Sequence, residues 1–95
     1  MVSDKEYKKI CDDIYRQHEK NVEKLEEIAN DLIEHPEERI IRLLHQIIKK
    51  YSLKCYIRGI NDKRYIELLN KLEKIEEKIL PLLIHFDVEE QPMYY

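Results

Sequence analysis

The sequence predicts an all-α fold, a small bundle of three to four helices with a long N-terminal helix and a short extended C-terminal tail. Three observations carry that expectation. Apolar residues recur at spacings of three and four along most of the chain, which is the period of one buried face on a helix and not the alternation of a strand. The strong breakers are few, one Gly and three Pro in 95 residues, and they stand at or near the ends of the periodic runs. Finally, 43% hydrophobic residues are mixed with 39% charged ones, enough Ile, Leu, Val and Tyr to form a core and too much for a disordered chain.

The first periodic run opens at Ser3 or Asp4, either of which suits an N-cap, with Glu6 in the first turn. Its apolar positions are Tyr7, Ile10, Cys11, Ile14, Tyr15, Val22, Leu25, Ile28, Ala29, Leu32 and Ile33, so a helix is expected over residues 4–34. Between Arg16 and Asn21 the apolar face lapses, and the helix either protrudes there or breaks. A heptad counted through Cys11, Ile14, His18, Asn21, Leu25, Ile28 and Leu32 puts His18 and Asn21 on the seam, unless the seam shifts to Val22. Polar seam residues can fix register or oligomer number, and a buried histidine there would sense pH.

His35-Pro36 ends the run, because the residue before a proline is pushed out of the α region. Pro36, Glu37 and Glu38 suit the start of a second helix, over residues 37–58. This run carries Ile40, Ile41, Leu43, Leu44, Ile47, Ile48, Tyr51, Leu53, Cys55, Tyr56 and Ile57, a face so wide that the helix is expected to be the central, most buried one. Gly59 is expected to stop it as a left-handed C-cap. Asn61-Asp62 offers the next N-cap, for a helix over residues 62–80 in which Leu68, Leu72, Ile75 and Ile79 form a short coiled-coil-like seam. Pro81 either ends this helix or kinks it into the run Leu82 to Phe86. Residues 1–86 are thus read as one helical domain and 87–95 as a flexible tail.

Composition limits the chemistry. No apolar run approaches the ~18 residues of a membrane span, and no signal-like segment follows Met1. Gly-rich phosphate loops and nucleophile elbows are absent. Cys11 and Cys55 belong to no CxxC pair and are expected to be free thiols in a cytoplasmic protein. None of His18, His35, His45 and His85 has a Glu three residues before it, which removes the carboxylate-bridged di-metal bundle. Neighbouring carboxylates such as Glu26-Glu27 and Glu76-Glu77 read as solvated faces. No metal, cofactor or catalytic residue is therefore expected.

The charge distribution is more specific than the net charge of -3. Residues 1–38 hold 6 basic and 12 acidic side chains, residues 39–64 eight basic and one acidic, and residues 65–95 three and seven. The basic middle either packs against acidic neighbours or binds an anionic partner.

The function expected is that of a non-catalytic helical protein–protein interaction or assembly protein, an adaptor or regulator, homodimeric or larger. Ile40, Leu44, Ile47, Tyr51, Leu68, Leu72 and Ile75 are its expected interface residues. The alternative is a small nucleic-acid-binding regulator in which Lys49, Lys50, Lys54, Arg58, Lys63 and Arg64 contact phosphates and Tyr51 and Tyr56 stack on bases. Against it stands a sequence pI near 5.8.

A third reading starts from Arg39 and His45. Their Arg-x5-His spacing loosely resembles the signature of the HEPN ribonucleases, all-helical domains whose Arg and His act on RNA across a dimer. The resemblance covers seven residues and departs from the family at Ile40, where a polar residue is common. It implies an RNA-cleaving Arg39–His45 pair, yet six residues rotate a helix by roughly 600°, so the two do not share a face.

Overall fold

The computed structural model describes residues 2–88, and these form three α-helices and no strand: α1 (Asp4–Glu34), α2 (Glu38–Gly59) and α3 (Arg64–His85). Helix α1 is unbroken through its polar stretch. Ser3 caps it, its hydroxyl accepting the Glu6 N–H at 3.2 Å. The chain turns back through His35 to Glu37 into α2, and again through residues 60–63 into α3. Helices α1 and α3 run parallel, as the ion pairs Arg64–Asp12 (2.8 Å) and Lys78–Glu26 (3.3 Å) show by joining residues at one constant offset. Helix α2 lies antiparallel to α3, joined to it by Lys49–Glu76 (3.1 Å) and by Arg42 donating to the Phe86 carbonyl.

The core sits along α3. Leu68, Leu72, Ile75 and Ile79 are fully buried, and they meet Ile41, Leu44, Ile48 and Cys55 of α2 and Val22, Leu25, Ala29 and Leu32 of α1. This corrects the expectation that α2 is central. A three-helix bundle can cover only part of so wide an apolar face, and Leu43, Ile47, Tyr56 and Ile57 stay exposed.

The punctuation also differs in its physical role. Gly59 is the last residue of α2 and has no positive φ, so it is not a left-handed cap. It is needed for space, since a Cβ there would lie 3.0 Å from Ile66 Cγ1. Asp62 does act at the start of α3, accepting the Arg64 N–H at 3.1 Å. Pro81 does not end α3, which runs on through Leu82 to His85. Pro81 has no N–H to give the Glu77 carbonyl, and both residues are exposed, so water has access there. No fourth helix forms among the described residues.

Helix α3 closes instead at Phe86. Asp87 is left-handed (φ 53), the Val88 N–H donates to the Leu83 carbonyl at 2.9 Å and the Asp87 N–H to Ile84 at 3.2 Å. That is the bonding of a Schellman cap, and Val88 packs on the core as the cap requires. Asp87 and Val88, expected in the tail, therefore belong to the folded end; residues 89–95 lie outside the described residues. No helix described is long and apolar enough to cross a membrane.

Candidate functional site

The polar lapse of α1 becomes a cluster. Val22 takes the core position, while His18 and Asn21 turn toward Tyr51 of α2. His18 Nδ1 and Asn21 Nδ2 both reach the Tyr51 hydroxyl, Asn21 at 3.4 Å. On the other edge of the imidazole, Arg58 Nη1 donates to Nε2 at 3.1 Å. A guanidinium has only donors, so Nε2 carries no proton, Nδ1–H donates to Tyr51, and the ring is neutral. Burial, and after it the positive charges of Arg58 and Lys54, hold the His18 pKa below the ordinary histidine value. Burial likewise pushes the Tyr51 hydroxyl up.

Tyr65 of α3 completes the cluster. Its ring meets His18 (5.7 Å) and Tyr15 (5.3 Å) edge to face, and the Arg58 guanidinium lies 5.7 Å from its centroid. One turn away Arg64 ties α1 to the α2–α3 corner. It pairs with Asp12 at 2.8 Å and Asp62 at 2.7 Å, and its guanidinium stands 4.6 Å from the centroid of the Tyr15 ring. The Tyr15 hydroxyl returns a hydrogen bond to the Arg64 carbonyl at 3.3 Å. Hydrogen bonds from Arg64 hold the Asp62 carboxyl below the usual range.

The basic block is therefore partly engaged within the chain. Of the six residues expected to contact phosphates, Arg64 pairs with two aspartates, Arg58 bonds His18 and Lys49 bonds Glu76. Lys50 is exposed but also has an interaction of its own, and Lys54 and Lys63 are exposed. Tyr51 is half-buried in the cluster, whereas Tyr56 presents its ring to solvent.

Of the seven expected interface residues, Leu44, Leu68, Leu72 and Ile75 are buried in the chain's own core and have no surface for another molecule. Ile40, Ile47 and Tyr51 retain some, Ile47 the most. Arg39 and His45 are not brought together on one surface: Arg39 is exposed in the first turn of α2, and His45 is buried with its polar atoms partnered. Among the described residues no three His, Cys, Asp or Glu side chains group to hold a metal ion, and both cysteines are free thiols. A cleft of about 290 Å³ lies beside His45 and Leu83, and another of about 220 Å³ beside Cys11 and Arg58. Both fall below the ~300–1,000 Å³ of small-molecule sites.

Sequence reasoning grouped Tyr15 and Tyr51 with the apolar faces and passed over their hydroxyls. The signal was present: two polar residues on the α1 seam require hydrogen-bond partners, and a tyrosine on a facing stripe supplies one without leaving the core. Comparison with protein-family models, with curated proteins and with solved structures found no match for this chain.

Proposed function

We propose that this chain is a non-catalytic helical assembly protein that works by packing against other helices, first of all those of its own copies. The observation that supports this reading is the start of α1. Every residue from Val2 to Ile10 is exposed, and Tyr7, Ile10 and Ile14 carry the apolar spacing of the buried stripe into solvent. Helical turns without tertiary contacts are marginally stable in water, and an apolar stripe on them gains stability when another helix covers it. The cytoplasmic setting belongs to the same reading, which suits two unpaired thiols.

Sedimentation equilibrium from about 1 μM to 1 mM tests it. Reversible dimers or larger species are expected, and a monomer throughout that range overturns the reading. Nucleic-acid binding is the weaker proposal, because Arg58, Arg64 and Lys49 already have partners within the chain. A mobility shift at about 50 mM salt that disappears when Lys50, Lys54 and Lys63 become Glu would bring it forward.

A further inference from the structure

The three helix pairs are not joined alike. Helix α3 holds α1 at two places far apart, through Arg64 with Asp12 and through Lys78 with Glu26, and Tyr15 adds its bond to the Arg64 carbonyl. It holds α2 through Lys49 with Glu76 and through Arg42, which donates to the Phe86 carbonyl. Helices α1 and α2 are the least closely packed of the three pairs. Three hydrogen bonds join them at the His18 cluster: His18 and Asn21 to the Tyr51 hydroxyl, and Arg58 to His18. His18 takes part in two of the three.

The surroundings of that imidazole come from all three helices. Helix α2 turns Tyr51, Arg58 and the charge of Lys54 on it. Helix α3 sets the Tyr65 ring against it, and Arg58 also reaches the Tyr65 hydroxyl at 3.5 Å. On α1, Asn21 shares the Tyr51 hydroxyl, and the neighbouring carboxylate of Glu19 acts on Tyr15. The charges that act on His18, those of Arg58 and Lys54, are both positive. A proton added at Nε2 therefore removes the acceptor that Arg58 uses and sets two cations 3.1 Å apart. The ion pairs from α3 to α1 contain no histidine, the side chain whose charge changes between about pH 8 and 5.

We propose that His18 is the latch of the α1–α2 seam: its protonation parts α1 from α2 at Tyr51 and Arg58 while α1 stays docked on α3. Cys55 reports the parting. It stands four residues after Tyr51 and three before Arg58, on the same side of α2, and is 1% exposed in the closed bundle. The closed seam holds the neutral imidazole and the open seam accepts the proton. Closure is therefore fully favoured above about pH 6.5 and is lost as pH falls toward the folded pKa. Burial, and after it the two positive charges, act in that direction by lowering the His18 pKa. The parting is local, with α2 still joined to α3, and it does not depend on assembly.

The test follows Cys55 in a Cys11→Ser chain, where it is the single thiol, with a dipyridyl disulfide that reacts at acid pH. The labelling rate of the urea-unfolded chain divided by that of the folded chain, at one pH, cancels the titration of the thiol and leaves a protection factor. Between pH 7.5 and 5 the protection should fall several-fold. Small additions of urea should change it little, because local opening exposes little surface. In His18→Gln, whose amide can accept from Arg58 and donate to Tyr51 at every pH, the protection should stay level. Arg58→Gln, at an exposed position, should lessen the fall by removing one of the two cations. Far-UV circular dichroism and a thermal melt at pH 7.5 verify that both variants fold. Equal falls with and without His18→Gln overturn the latch, as does protection that does not change with pH. A fall undiminished in Arg58→Gln overturns the part given to Arg58. Labelling as steep in urea as global unfolding overturns local parting, while the neutral state of His18 stands.

Discussion

Arg58 donates a hydrogen bond to His18 Nε2 at 3.1 Å, which makes His18 a neutral imidazole inside a cluster of hydroxyls, amide and guanidinium. Protonation would set two donors with positive charge against each other at that contact. Burial first, and then this repulsion, make the His18 pKa lower in the folded chain than the unfolded value near 6.5, so below that pH the unfolded chain binds the extra proton more readily. The stability contributed by neutral His18 is present above about pH 6.5 and is lost as pH falls toward the folded pKa. Urea unfolding between pH 7.5 and 5 should show the wild type losing more stability than His18→Gln; equal losses in the two proteins would refute the assignment.

Tyr51→Phe removes the hydroxyl that His18 and Asn21 share and leaves two donors without it in a half-buried site. The expected cost is about 1–2 kcal/mol in the unfolding free energy, with the helical circular dichroism unchanged. Val22→Ala, one turn along the same stripe, loses packing instead and should not alter the pH dependence.

At Gly59 two effects oppose each other. Alanine is the better helix former, but its Cβ would crowd Ile66 Cγ1 at 3.0 Å, and a β-branched side chain in a helix has little freedom to rotate away. Gly59→Ala should destabilise the wild type and stabilise an Ile66→Ala background by about 0.5–1 kcal/mol. A double-mutant cycle by chemical denaturation measures the coupling, and strict additivity of the two changes would show that the contact does not matter.

Asp87 holds a left-handed conformation that glycine adopts without Cβ strain. Asp87→Gly should raise stability by a few tenths to about 1 kcal/mol, and Asp87→Asn by less. Asp87→Val, β-branched at positive φ, should lower it. Thermal melts of the three variants rank them, and any other order would mean that the cap does not hold the end of α3.

The helices were legible because what specifies them is local. The three- and four-residue spacings, Ser3, the His35-Pro36 pair and Asp62 all act within a few residues of themselves, and α1 begins and ends where they place it. Local signs misled where their reason was not local. Gly59 looks like a left-handed cap, and only the position of Ile66 on another helix shows that the need is for room. Pro81 left two readings open, an end or a kink into the following apolar run, and α3 runs on through it to His85.

The candidate site was half legible. His18 and Asn21 stand out as polar residues on an apolar seam, but nothing near them in sequence announces Tyr51, Arg58 or Tyr65. The alternating charge blocks were plain, yet the sequence left open which charges meet within the chain. The structure pairs Arg64 and Lys49 internally and leaves Arg39 and Lys54 at the surface.

The sequence by itself determined the all-helical class, the helical stretches and the angular order of residues around each helix, because periodicity fixes one residue's direction relative to the next. Only the tertiary structure decided that α3 is central, that Leu44 is covered while Leu43 and Ile47 are not, and that His18 is neutral. Burial and protonation depend on where the neighbouring helices lie and what they carry, and a period along one helix holds no record of that.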